Sequence, residues 1–268
     1  MINKIVAIQG NQLSKLNPET DTSIFLANEI QNKNYKIFYY KPKDLSIINS
    51  KIIASGFFIK IDYSKKKFFK IIKKNKLCLS KCKFILIRQD PPFNLEYIST
   101  TYVLDALKNR VKIINNPSSI RNVSEKLYSA KYLRFMPNTI FTQNIDEIKI
   151  FFKKHKKIIL KPIHSHGGND IHLLSKFNSK LINRFIKKHN HIMCQKFIPK
   201  IIKGDKRVFL INGKIYGAIS RIPKKGSFLS NMSKGAKPIN IKLTKKEYRI
   251  SKFIAKDLKK EEHFFFRN

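Results

Sequence analysis

Through its first half the chain alternates short apolar runs with amphipathic stretches, the pattern of a sheet built strand, helix, strand. Residues 4–8 read as a buried strand, and a polar loop over 11–22 leads into a helix at 23–32. That helix is expected to gather Ile24, Phe25, Ala27 and Ile30 on one side. Residues 35–40 look like a second strand, 52–63 alternate like hairpin material, and 83–88 form another buried strand. The lysines of the basic stretch 65–83 fall on every side of either a helix or a strand, so a solvated face or loop is expected there. Asp90-Pro91-Pro92-Phe93 is a rigid turn, because each proline fixes its own φ and restricts the residue before it. Helical spacing follows through Tyr97, Thr101, Leu104 and Leu107, then a strand at 111–114. Asn116-Pro117-Ser118 opens the next helix with a cap and an early proline. These elements predict a parallel α/β sheet.

Glycine punctuates the second half. Only Gly10 and Gly56 precede residue 160; the other seven lie between Gly167 and Gly235. They separate strand-rich segments at 157–161, 191–197, 206–211 and 214–221, in loops that need positive φ or close backbone approach. A helix around 248–258 and a strand-like Phe264-Phe265-Phe266 follow. The shift in composition predicts two domains, 1–121 and 122–268, the second antiparallel and enclosing a ligand.

At 268 residues, 42% of them hydrophobic, the chain can bury real cores and is globular rather than disordered. Its formal net charge of +39 invites a nucleic-acid reading. Yet only 9 of the 56 basic residues are arginine, the lysines are scattered, and Ile, Asn and Phe are abundant. That is how an AT-rich genome spreads lysine over solvated faces. Base-reading proteins lean on arginine's planar fork, so no specific nucleic-acid partner is expected. Cys78, Cys82 and Cys194 are too few and too uneven for a disulfide framework, and the first two lack a second ligand pair at zinc-finger spacing. The N-terminal run is not a signal peptide, and no apolar stretch reaches membrane-spanning length. A reduced, cytoplasmic protein with no membrane partner is expected.

The candidate chemistry centres on two lysines and a glycine pair. Lys161 closes the apolar run Ile158-Ile159-Leu160 and is followed by Pro162 and the loop 163–171, which contains Gly167-Gly168. Lys126 stands upstream in Arg121-Asn122-Val123-Ser124-Glu125-Lys126-Leu127, which reads as a helix junction. A strand-borne cation, a second cation and glycines that let amide groups approach an anion make a polyphosphate cradle.

With these go Arg88-Gln89-Asp90-Pro91-Pro92-Phe93; Asn116-Pro117; Gln195 with Phe197-Ile198-Pro199; Gly204-Asp205-Lys206-Arg207; and Arg221-Ile222-Pro223 followed by Asn231 and Gly235. The ordered set resembles the bacterial glutathione synthetases of the ATP-grasp superfamily over essentially the whole chain. The resemblance implies an α/β fold, an N-terminal Rossmann-like domain followed by an ATP-grasp domain lacking its C-terminal part. It implies ATP-dependent joining of γ-glutamylcysteine to glycine through an acyl phosphate, with Mg²⁺ (or Mn²⁺) and a homo-oligomeric assembly. By the same resemblance Lys126 and Lys161 contact phosphates, Gly167-Gly168 form the lid, and Gln195, Phe197 and Ile198 receive adenine. Asp205 stands near the ribose, Arg207 and Arg221 hold developing negative charge and substrate carboxylates, and Arg88 and Asn231 join Arg221 in gripping substrate.

Three departures accompany the match. The family usually has Asp and Gly where this chain has His164 and Ser165, and a second arginine where it has Leu229. His164, His166 and His172 invite a metal-site reading, but in a lid without acidic partners they are expected to be incidental. The family's metal-binding carboxylates follow a further strand, so the resemblance places them beyond Asn268, and a shifted reading frame or a fragmentary gene would account for that end. On that expectation the 268 residues bind ATP poorly and turn over little. Two alternatives follow: an inactive nucleotide-binding remnant, or another ATP-grasp carboxylate–amine ligase.

Dispersed lysine predicts that binding to RNA or DNA is weak, insensitive to sequence and lost steeply as salt rises. Fluorescence anisotropy across a salt series checks this; tight binding with a sequence preference would restore the nucleic-acid reading.

Overall fold

The structure, a computed structural model, describes residues 4–63, 65, 67–262 and 265–267. Met1–Asn3 of the N-terminal run, Lys66 of the basic stretch, Phe264 of the expected last strand and Asn268 lie outside the described residues. The rest falls into two compact units, one ending at Arg121 and taking in Glu262, the other running from Asn122 to Glu261 with residues 265–267.

The first unit runs β1 (Ile5–Gln9), α1 (Thr22–Asn32), β2 (Lys36–Ile48), β3 (Lys51–Ile61), β4 (Phe69–Cys78), β5 (Phe84–Ile87), α2 (Leu95–Asp105), β6 (Lys112–Ile114) and α3 (Pro117–Asn122). Its sheet has the order β4-β3-β2-β1-β5-β6. β1 is parallel to β2 and β5, and β5 to β6, whereas β2–β3 and β3–β4 are antiparallel. The expected parallel sheet is therefore a mixed one. The reason is local: β2 and β3 are joined by Asn49-Ser50 alone, with φ of 47° and 59°. Two consecutive left-handed residues make the hairpin turn whose twist suits antiparallel strands.

The basic stretch forms the expected solvated face, though not a loop: it contains edge strand β4, mostly exposed and paired with β3 along its length. Only Leu77 of β4 is buried, and the strand shows no alternation of exposure, so periodicity could not reveal it. An edge strand hydrogen-bonds on one side only, and lysines there discourage further pairing. Helix α1 starts where expected because the Asp21 carboxylate accepts from the Ser23 and Ile24 amides. Ile24 and Ala27 face the core, but Phe25, one step of about 100° round the helix, is 56% exposed. Both faces of the sheet are covered: Ala7, Phe38, Ile85 and Leu104 pack on one, Val6, Ile8, Ile24 and Ile37 on the other.

The second unit contains β7 (Thr139–Thr142), α4 (Ile145–His155), β8 (Ile158–Pro162), β9 (His172–Leu174), α5 (Ser179–His189), β10 (Ile192–Lys196), β11 (Asp205–Ile211), β12 (Lys214–Ile222), β13 (Lys237–Asn240), α6 (Lys245–Lys260) and β14 (Phe265–Arg267). Two antiparallel sheets result, β7-β10-β8-β9 and β13-β12-β11-β14. Helices α4 and α5 cover the first through Ile148, Phe151, Ile182 and Phe185, packed on Ile158, Leu160, Ile192 and Cys194. Helix α6 covers the second through Ala255 and Leu258 against Leu210. Its start is fixed by a capping box: Thr244 Oγ1 accepts from the Glu247 amide, and Glu247 Oε2 from the Thr244 amide at 2.8 Å. All three cysteines are free, and burial pushes the Cys82 and Cys194 thiols up to about 12, which makes them inert. No helix among the described residues is long and apolar enough to cross a membrane.

Replacing Thr244 by Ala should cost about 1 kcal/mol, and Leu160 by Ala roughly 2–5 kcal/mol because it opens a cavity under α4 and α5. Urea unfolding of the two variants measures both, and the order of the two losses is the point to check.

Candidate functional site

Strand β8 delivers Lys161 to its position. Ile158 and Leu160 point into the core beneath α4 and α5, so alternation turns the side chains of Ile159 and Lys161 to the opposite face. There Lys161 Nζ donates to Gln195 Oε1 at 2.8 Å. Gln195 Nε2 donates to Thr139 Oγ1 at 2.9 Å, and Thr139 Oγ1 donates to the Pro137 carbonyl at 2.7 Å. This relay crosses three neighbouring strands, β8, β10 and β7, and holds the ammonium on one heading. Gln195, which the resemblance placed at the adenine, orients the lysine through its Oε1 and also lines the cavity described below.

Lys126 comes from the segment after α3 and reaches the turn that leaves β8. Its Nζ donates to the Ser165 carbonyl at 2.5 Å and to the Ile163 carbonyl at 3.5 Å. Burial lowers the Lys126 pKa, with Glu125 opposing. Burial likewise lowers that of Lys161, and the Lys126 charge lowers it further. Desolvated like charges that act on each other favour an incoming anion, although only Lys161 of the two lines the cavity described next. His164 is also lowered, by desolvation and by Lys126, so its imidazole stays neutral beside the cation.

Lys161, Gln195, Phe197, Ile198, Asp205 and Asn231 all line one cavity of about 200 Å³. Its apolar wall is Ile159, Phe197, Ile198, Ile201 and Phe228, with the Phe197 and Phe228 rings edge to face at 6.3 Å. The Phe197 amide already donates to the Lys157 carbonyl at 3.1 Å, so that main-chain donor is committed within the protein. Gly167 and Gly168 have φ of 65° and 77°, and a Cβ on Gly168 would collide with the Asn231 side chain. Ser233 Oγ donates to the Gly167 carbonyl at 3.3 Å, joining the glycine loop to the loop after β12.

Asp205 and Arg221 are opposite each other on β11 and β12 and form a forked ion pair, with Arg221 Nε donating to Asp205 Oδ1 at 2.7 Å and Nη2 to Oδ2. Arg221 is 8% exposed. Sequence reasoning gave these two residues separate tasks; the register makes them one unit. Arg207, two residues along β11, shares their face, while Lys206 turns to the other and pairs with Glu247 at 2.7 Å.

Arg88 belongs to the first unit, at the C-terminal end of β5, where its Nε donates to Ser23 Oγ at 3.1 Å. Around the ends of parallel β1 and β5 sit Gln9, Asn11 and Tyr39, which sequence reasoning missed, beside Gln89 and Asp90 of the motif quoted above. Gln9 Nε2 donates to buried Gln89 Oε1 at 2.5 Å, Asn11 Nδ2 to Asp90 Oδ2 at 2.6 Å, and Tyr39 OH to the Asn11 carbonyl at 2.7 Å. The available signal was a polar residue directly after each apolar run, at the strand ends where open α/β sheets bind ligands. Among the described residues no group of three His, Cys, Asp or Glu could hold a metal ion.

Two family profiles together span this chain. The one for the prokaryotic glutathione synthetase N-terminal domain matches residues 5–121, and the one for the ATP-grasp domain of that family matches 125–266. The glutathione synthetase of Buchnera aphidicola subsp. Baizongia pistaciae is 36% identical over 260 residues, covering 94% of this chain and 80% of the relative. That of Agrobacterium fabrum is 32% identical over 267 residues, 98% of this chain and 83% of the relative. Among solved structures, the ATP-grasp ligase PsnB complexed with minimal precursor, Mg and ADP matches with a TM-score of 0.58 at 12% identity, over 99% of this chain and 83% of that one.

The depressed Lys161 pKa has a consequence with a definite sign. Unliganded, the lysine releases its proton below the ordinary 10.5; an anion beside it restores the charge and raises the value. Polyphosphate binding should therefore take up a proton in the alkaline interval below 10.5, and affinity should fall as pH rises through it. Calorimetry of ATP binding in buffers of differing ionisation enthalpy measures the uptake, which Lys161→Met should reduce.

Proposed function

The chain belongs to the prokaryotic glutathione synthetase family, and on that premise we propose that its second-unit cavity is the ATP site. The function is ATP-dependent glutathione synthesis, by a carboxylate–amine ligase. A carboxylate is a poor electrophile. Phosphorylation of the γ-glutamylcysteine carboxylate by ATP gives an acyl phosphate and ADP; the glycine amine then displaces phosphate and forms the amide. Such chemistry asks for anion stabilisation more than for proton transfer.

In this reading Lys161 and Lys126 hold the phosphates, and the relay through Gln195 and Thr139 sets the direction of the first. Gly167 and Gly168 let the loop's amides approach the phosphates, and Phe197 and Ile198 supply an apolar seat for the base. Asp205 locks the Arg221 guanidinium, and its remaining lone pairs suit a ribose hydroxyl. Arg207 and Arg221 stabilise negative charge as phosphate transfers, and Arg88 and Asn231 grip substrate. The family implies a divalent ion, which neutralises phosphate charge when bound. Among the described residues no group of three His, Cys, Asp or Glu could hold it, and this chain's own contribution rests on its lysines and arginines. Magnesium, replaceable by manganese, is the ion we propose. A homo-oligomer in the cytoplasm completes the reading.

The observation that carries this assignment is the Lys161 ammonium, held by Gln195 in the cavity wall and destabilised by burial and by Lys126. Truncating it to Ala should cost roughly 1.5–3 kcal/mol of ATP binding. The test is to supply the purified chain with ATP, divalent metal, γ-glutamylcysteine and glycine, and to follow ADP and glutathione together. Whatever glutathione forms, however slowly, should appear in step with ADP and be lost in Lys161→Ala. ADP released only with a different carboxylate and amine would assign the chain to another ligation.

A further inference from the structure

Ser230 is a polar residue that the cavity encloses and the protein does not satisfy. It is 5% exposed and lines the same cavity as Lys161 and Asp205. Its Oγ finds no hydrogen-bond partner among the described residues. A buried hydroxyl left unpaired is a cost to the unliganded fold, and native proteins keep few of them without a reason.

Its surroundings hold it in place. On one side Phe228 meets Phe197 edge to face at 6.3 Å, and the Leu229 amide donates to Ser227 Oγ at 3.0 Å. On the other side the Asn231 side chain abuts Gly168, and the Asn231 carbonyl accepts from the Lys234 amide at 2.8 Å and the Ala236 amide at 3.3 Å. The hydroxyl thus sits in a wall tied at both ends, between an aromatic seat and a glycine loop. The residue lines a cavity with mixed apolar and cationic walls while its hydroxyl is turned into the wall, and a χ1 rotation would bring that small donor and acceptor to a ligand with several polar atoms around a flat ring.

We infer that Ser230 is a nucleotide-contacting residue, its hydroxyl exchanging a hydrogen bond with a polar atom of the bound nucleotide that no protein group supplies. The inference rests on the reading of this cavity as the ATP site. It adds the loop after β12 to the nucleotide site, where sequence reasoning had assigned that loop to substrate.

The hypothesis makes binding and stability move in opposite directions. Ser230→Ala removes an unsatisfied buried group, so the unliganded protein should melt at an unchanged or higher temperature. The same variant should bind ATP roughly 3- to 10-fold more weakly. Ser230→Cys, which fills the space with a weak donor, should lose affinity like the alanine. ATP affinity within about two-fold of wild type in either variant, or weaker binding that matches a fall in unliganded melting temperature, overturns the inference. Lys161→Ala, measured alongside, separates the two readings. If it weakens ATP binding while Ser230→Ala does not, only the Ser230 contact fails; if wild type and Lys161→Ala bind ATP alike, the site itself is misassigned.

Discussion

Keeping the Lys161 ammonium charged in a largely desolvated wall is the constraint around which the second unit is arranged. Water would solvate that charge better than protein does, so the fold must hold it by other means. It does so with a neutral acceptor, Gln195, rather than with a carboxylate. A carboxylate would satisfy the lysine fully and leave nothing for a phosphate. An amide oxygen orients the cation without neutralising it, and Asp205 and Glu125 offset the charge only in part. The antiparallel register of β7, β10 and β8 is what puts Thr139, Gln195 and the lysine's strand side by side.

The opposite solution operates across β11 and β12. Arg221 is nearly buried and receives a full counter-charge from Asp205 through a fork. A paired guanidinium is a rigid, half-neutralised donor surface; an unpaired ammonium is an anion trap. Of the forked pair it is Asp205, not Arg221, that lines the cavity beside Lys161. Gly204 makes the second arrangement possible, because a Cβ there would come within 2.6 Å of Ser220 Oγ and 2.7 Å of Ile222 Cδ1.

Much of this was legible in the chain, and the exceptions have a common cause. Strands such as β1, β5 and β8 announce themselves because burial on both faces demands unbroken apolar runs. Lys161 stood out for the same reason, as a charge ending such a run. β4 was hidden because an edge strand needs no apolar pattern to pair. The Asp205–Arg221 fork and the Gln9–Gln89 contact depend on register between residues 16 and 80 positions apart, which local spacing does not encode. Ser230 carries no signal at all; a serine in a loop is ordinary until its surroundings are known.

The lysines of β4 do more than keep a strand in solution. The strand ends the sheet with an unpaired edge, and Ile71 and Ile72 on it are 47% and 56% exposed. A second molecule approaching that edge in the same way would bring Lys70, Lys73, Lys74 and Lys76 against their own copies. Mutual repulsion is then the barrier to sheet-by-sheet polymerisation, and it is a barrier that dissolved ions can lower. Colloidal stability for this chain is consequently a function of ionic strength: concentrated salt removes the electrostatic guard from two exposed isoleucines and leaves a sticky edge behind.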